Sequence, residues 1–183
     1  MISNSPGTPR EYGLPPLAGE APQVLILGSF PSKMSIQRQQ YYANPHNQFW
    51  RIMADLLNNG DVGDIPSLSR LLTDHHIALW DVIASRRYQN GSMDRDITEP
   101  VFNDIPAFLA EHPTIRSIGT NGGTAWVSFQ RLVRCTPQVP ALLCRRLPST
   151  SPAYASCRYE QKLAQWRMFL EGNTEEPSAA AHR

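Results

Sequence analysis

Val24-Leu-Ile-Leu-Gly28 runs directly into Ser29-Phe-Pro-Ser32, and this junction decides the fold. An unbroken apolar run of strand length lacks the alternation of a sheet with one wet face, so both faces of the strand must be covered. Ile77-Ala-Leu-Trp-Asp-Val-Ile83 is of the same kind, and Ile115-Arg-Ser-Ile-Gly-Thr120 and Ala141-Leu-Leu-Cys-Arg-Arg-Leu147 are also strand length. Helical patterns separate the four. Residues 47–59 place Phe49, Trp50, Met53, Leu56 and Leu57 at helical spacing, and Asn58-Asn59-Gly60 is a stop signal. Residues 67–74, 103–112 (with Asn103 as an N-cap), 122–133 and 156–172 give four more helices. Strands alternating with helices predict an α/β fold with a central parallel sheet flanked by helices. In such folds ligands bind beyond the C-terminal ends of the strands. The places to inspect are therefore residues 28–32, 81–85, 120–123 and 147–152.

The bulk properties suit one domain. The chain has 183 residues, 41% of them hydrophobic, enough for one proper core. Residues 1–22 hold five of the 16 prolines and read as an extended N-terminal arm. Residues 23–172 form the domain, and the polar, Ala-rich 173–183 read as a flexible tail. No apolar run reaches the roughly 18 residues of a membrane span, and residues 1–22 lack the pattern of a secretory signal. Cys135, Cys144 and Cys157 have no metal-like spacing and read as reduced thiols of a cytoplasmic protein. The net charge of +1 argues against a general nucleic-acid coater. Local charge is available at Arg131, Arg134, Arg145 and Arg146 and at Arg86-Arg87, which serve equally well as solvated surface. No cofactor, metal cluster or internal repeat is expected, and a monomer is the default.

The strand exits carry the chemistry. Gly28 permits close backbone approach, Pro31 stiffens the turn, and Phe30 offers a face to a flat ring or simply fills the core. In Tyr41-Tyr-Ala-Asn-Pro-His-Asn-Gln-Phe-Trp50, Asn47 stands at a helix start, where it can cap the helix, hold a water or meet a ligand. His46 reads as an exposed loop residue or a base. Leu147-Pro-Ser-Thr-Ser-Pro-Ala153 brackets three hydroxyls with prolines, as a stiff phosphate loop or as an ordinary surface loop.

These segments together resemble the uracil-DNA glycosylase superfamily, with its hypoxanthine-DNA glycosylase branch most similar. The first shared motif is "ILGSFPS" (26–32) followed by "YYxxPxNxFW" (41–50), and the second is "LPSTSPA" (147–153). "IALWDVIAS" (77–85), "GSMD" (91–94), "NDI" (103–105), "EHPTIRSI" (111–118), "NGG" (121–123) and "YEQKLAQW" (159–166) follow in the same order. The similarity spans about residues 24–170. It implies a three-layer sandwich with a four-stranded parallel sheet, and a nucleotide flipped out of DNA into a pocket at the strand ends.

The resemblance implies a monofunctional base-excision enzyme. It would hydrolyse the N-glycosidic bond of a deaminated base, hypoxanthine first and uracil second. Asn47 takes the catalytic role. Gly28, Ser29, Phe30, Pro31 and Ser32 are expected to line the base pocket; Tyr42 either walls it or fills the core, and Asp81 either adds a polar group there or serves as a helix cap or buried structural residue. Leu147, Pro148, Ser149, Thr150, Ser151 and Pro152 meet the DNA backbone and groove. Four positions depart from the pattern. Ser29 replaces an acidic or amide residue, Leu147 a histidine, Arg86 a frequent cysteine, and Tyr154 an asparagine or histidine. The alternative is a non-catalytic relative of the same fold that binds damaged DNA. A different hydrolase would need a nucleophile elbow or a phosphate loop, and the chain has neither.

Overall fold

Strand β2 (Val24–Gly28) is buried along its whole length. The computed structural model describes residues 9–88, 97–136 and 142–172. β2 lies between β3 (Ile77–Asp81) and β6 (Ser117–Asn121), and β7 (Leu143–Leu147) extends the sheet. The order is β3-β2-β6-β7, and every pairing is parallel.

Successive side chains of a strand point to opposite faces, so a strand that is apolar at every position feeds two cores at once. Val24 and Ile26 of β2, with Ile77 and Leu79 of β3, join one core. Most of its other members come from α2 (Phe49–Leu57), α3 (Ile65–Asp74) and α6 (Tyr159–Glu171), joined by Leu14, Tyr41 and Leu147. Leu25 and Leu27, with Ala78 and Ile118, join the second core. That core is completed by α4 (Ile105–Glu111) and α5 (Gly123–Cys135). The predicted three-layer sandwich is thus present, with the sheet as the middle layer.

The predicted strand 77–83 breaks in two. β3 ends at Asp81, and β4 (Ile83–Tyr88) starts a second, antiparallel sheet with β1 (Glu11–Tyr12) and β5 (Ile97–Phe102). Val82 N–H donates to Gly28 O and Ile83 N–H to Ser29 O, so the break is held by the loop leaving β2. Apolar periodicity continues straight through Val82, which is why the sequence does not mark the break. Of the expected arm, the described part from Pro9 on is extended but tied down. Gly13 N–H donates to Ala84 O, and Leu17 exchanges two backbone bonds of 2.8 Å with Leu79.

Several helix starts differ from expectation. Asp104, not Asn103, caps α4 by accepting from Ala107 N–H, while Asn103 Nδ2 donates to Asp81 O at 2.8 Å. Asp64 caps α3, so that helix begins before residue 67. α6 begins at Tyr159 rather than residue 156. A short helix that the sequence does not signal, α1 (Lys33–Arg38), follows the β2 loop and is capped by Ser32. Residues 91–94, 141 and 173–183 lie outside the described residues.

Gly119 of β6 shows how tightly the middle layer is packed. A Cβ there would stand 2.7 Å from the Phe169 ring and 2.9 Å from Leu147 Cδ1, both on buried side chains. Gly119→Ala should therefore destabilise by about 1–3 kcal/mol through overpacking. Urea denaturation measures this, and an unchanged midpoint would show that Phe169 can move away freely.

Candidate functional site

The parallel register sets Gly28 beside Asp81 and Asn121 beside Leu147, so all four strand ends finish on one edge. At Gly28 there is no room for a side chain. A Cβ would collide with Asp81 Oδ1 and stand 3.1 Å from the Tyr42 hydroxyl. Glycine thereby lets a buried carboxylate and a phenol close over the strand end.

The segment 41–50 wraps this edge. Tyr42 adopts a left-handed backbone (φ 51°) and stacks on Phe49 at 4.2 Å. Tyr41 donates to Pro15 O, and its own carbonyl receives Trp50 Nε1–H. Both phenols are held above their ordinary pKa of 10.0, first by burial and then by the charge of Asp81. Asn47 is half-buried and precedes α2, where its Oδ1 accepts Phe49 N–H at 3.0 Å. The helix-start role and a place at the strand-end edge therefore coincide in one amide. His46 is exposed.

The segment 147–154 meets it. Gln48 N–H donates to Thr150 O at 3.0 Å. Asn121 Nδ2 donates to the Tyr42 hydroxyl at 2.9 Å and to Thr150 Oγ1 at 2.8 Å, and its Oδ1 accepts Thr150 N–H at 2.9 Å. Thr150 is fully buried, so its hydroxyl faces Asn121 and not solvent. Ser149 Oγ and Ser151 Oγ accept from Ser151 N–H and Ala153 N–H, which stiffens the turn. Pro148 O receives Trp166 Nε1–H at 3.1 Å, Leu147 is buried, and Pro152 is exposed. Beside this loop lies a cleft of about 230 Å³, lined by Gly122, Gly123, Arg146, Ser149, Tyr154 and Cys157 among others.

The remaining first-motif residues sit deeper. Phe30 is 8% exposed, and the Arg86 guanidinium covers one ring face at 3.9 Å. Arg86 is itself buried and lies 3.8 Å from Glu11, so it is not the surface phosphate contact that its sequence position suggests. Pro31 is buried and Ser29 half-buried, and the Ser32 hydroxyl caps α1. Arg131, Arg134, Arg145 and Arg146 are exposed.

The structure thus brings Gly28, Asp81, Tyr42, Asn47 and the 147–152 loop together, and it turns Thr150 and Ser32 to structural tasks. Three residues of the assembly were not singled out by the sequence as site residues: Gln48, Asn121 and Lys162. Asn121 stands in the strand exit at 120–123, and that position is the signal for it. The other two carry none. Among the described residues, no group of His, Cys, Asp and Glu could hold a metal, and no helix is long and apolar enough to cross a membrane. The three cysteines are free thiols.

A three-layer α/β fold with two polar loops closing one edge of a parallel sheet defines an enzyme with a strand-end cleft. The family model of the uracil DNA glycosylase superfamily matches residues 15–171, and the chain belongs to that superfamily. It is accordingly an N-glycosylase that acts on DNA. Two relatives are named hypoxanthine DNA glycosylase. The one from Methanosarcina acetivorans is 37% identical over 115 residues, which is 62% of this chain and 72% of the relative. The one from Methanosarcina barkeri is 32% identical over the same shares. A solution NMR structure of a Methanosarcina acetivorans protein, provisionally named a uracil DNA glycosylase, superposes with a TM-score of 0.75 at 30% identity. That match covers 91% of this chain and 100% of the other.

Two outcomes follow from the geometry. Asn121→Ala leaves the Thr150 and Tyr42 groups without their partner and should cost about 1–3 kcal/mol. The thermal unfolding midpoint of the variant checks this, and a midpoint equal to wild type would show the bridge to be dispensable. The second concerns alkaline pH. The native state holds the Tyr41 and Tyr42 protons above pH 10.0, where the unfolded chain releases them. The unfolded state then binds fewer protons, so stability is intact below pH 10 and falls as pH rises beyond it. A urea series at rising pH should show the midpoint dropping in that window, less so for Tyr41→Phe.

Proposed function

We propose that this chain is a monofunctional DNA glycosylase that excises hypoxanthine, and secondarily uracil, by hydrolysis. The observation that carries the reading is the junction of segments 41–48 and 147–154 at the strand ends, made by the Asn121 amide and by the bond from Gln48 to Thr150. The superfamily match supports the reaction, and the names of the two relatives support the base.

The glycosidic bond breaks with positive charge growing on the sugar and negative charge on the leaving base, so fixed dipoles are what the site must supply. Asn47 supplies one. Its Oδ1 is anchored by Phe49 N–H, and a carbonyl oxygen has a second lone pair that can hold the attacking water. Its Nδ2 hydrogens remain to meet an acceptor on the base. Gly28, Ser29, Pro31, Asp81 and Tyr42 form the floor, with Phe30 as its aromatic member. Ser149, Ser151 and Pro152 form the rim that meets the DNA backbone, with buried Leu147 and Thr150 and half-buried Pro148 as its footing. Ser29 and Leu147 bring neither a carboxylate nor an imidazole, so the enzyme relies on the amide and on base extrusion.

Lys33 is exposed and Lys162 is buried in hydrogen bonds, so neither serves as an amine nucleophile and no strand-cleaving step follows base release. Free thiols at Cys135, Cys144 and Cys157 support a reading of a cytoplasmic protein, with a monomer as the default.

Oligonucleotides carrying hypoxanthine, uracil or xanthine, treated with alkali after incubation, test the reading. Hypoxanthine should give abasic product fastest, and no product from any of the three would end the enzymatic proposal. Asn47→Ala should slow cleavage about a hundredfold, the usual scale for losing one such group. The lost backbone contact should cost only about 1 kcal/mol of stability. Cleavage at the wild-type rate in that variant removes Asn47 from the chemistry.

A further inference from the structure

Lys162, in the first turn of α6, is 2% exposed. Lys33 and Lys162 are the only lysines in the chain. Its Nζ donates to Gln48 Oε1 at 2.9 Å and to Tyr154 O at 3.0 Å, and it lies 5.3 Å from the centre of the Tyr154 ring. Both hydrogen-bond acceptors are neutral. Burying an ammonium against neutral acceptors costs free energy that a methionine of similar length avoids, so fold stability alone does not account for it. Burial accordingly lowers the Lys162 pKa, with Cys157 acting in the opposite sense.

The two acceptors belong to the two loops of the site. Gln48 follows Asn47, and its N–H donates to Thr150 O. Tyr154 ends the second loop, and its N–H donates to Ser151 O. The Lys162 ammonium therefore completes a closed circuit through Gln48, Thr150, Ser151 and Tyr154. We infer that Lys162 is a positioning residue, whose ammonium clamps the Asn47 segment to the 147–154 loop and fixes the distance between the catalytic amide and the DNA-facing rim. A compact tetrahedral donor can serve two carbonyl oxygens at an angle, which a planar guanidinium does less well. The catalytic consequence rests on the proposed glycosylase function, but the clamp itself does not.

Lys162→Met tests both. Hydrogen exchange of the Gln48 and Tyr154 amides should speed up about tenfold, because the local opening they report loses its restraint. Single-turnover cleavage of hypoxanthine DNA should slow about tenfold, with the DNA dissociation constant within about threefold of wild type, the signature of lost positioning. Gln48→Met should cause a similar loss, and the double variant should be no slower than Lys162→Met alone, because the two act as one unit. If Lys162→Met does not fold, the double variant, which removes donor and acceptor together, takes over the exchange and cleavage measurements. Unchanged exchange overturns the clamp whether or not the wild type cleaves DNA. Faster exchange with unchanged single-turnover rate, or additive losses in the double variant, overturns the positioning role. A wild type that cleaves nothing defeats the glycosylase reading alone, and exchange still decides the clamp.

Discussion

One primary amide holds the site of this protein together. Asn121, at the last position of β6, uses its oxygen and its nitrogen on Tyr42 and Thr150, which are 79 and 29 residues away in the chain. Each such hydrogen bond contributes only about 1 kcal/mol net, yet leaving buried partners unmade costs more, so the bridge permits few alternative loop arrangements. It can form only because β2, β6 and β7 run parallel and in register, which delivers Gly28, Asn121 and Leu147 to the same edge.

The electrostatics of that edge are those of a site built from dipoles. Asp81 is buried against the Gly28 backbone, and the nearby phenols of Tyr41 and Tyr42 are kept protonated by burial and by that carboxylate. Arg86 covers Phe30 from the side of the antiparallel sheet, and Lys162 ties down the loops from the side of α6. Asn47, Ser149 and Ser151, on the two loops at this edge, are neutral, and Arg146 brings a positive charge to the cleft beside them. Such a site stabilises developing charge by fixed orientation more than by proton transfer. This fits the presence of Ser29 and Leu147 where an acid, an amide or an imidazole would offer stronger assistance.

The small second sheet shapes the site as much as the large one does. β4 leaves the parallel sheet directly after Asp81 and carries Arg86 over Phe30. β1 and the following segment to Leu17 bind both sheets, so the proline-rich start of the chain braces the strand-end region. Prolines suit this task, because they hold the backbone extended and remove donors that the sheet could not satisfy.

By itself the sequence determined the class of fold and the strand-end edge at which the proposed site lies. Continuous apolar runs at 24–27 and 77–80 demand cover on both faces, and that demand is local enough to read. The same holds for the helix at Phe49–Leu57 and for the Gly, Pro and Asn residues at the strand exits. The division of labour among those polar residues was decided by tertiary structure. Thr150 and Ser149 look alike in sequence, but Asn121 turns Thr150 inward. Arg86 and Arg87 look like a surface pair, but the antiparallel pairing of β4 buries the first against Phe30. Lys162 looks like any polar position on an amphipathic helix until Gln48 and Tyr154 arrive beside it. The physical reason is common to all three. A hydrogen bond or a burial state belongs to a pair of groups, and where the partners lie tens of residues apart the pattern within either segment carries no trace of the other.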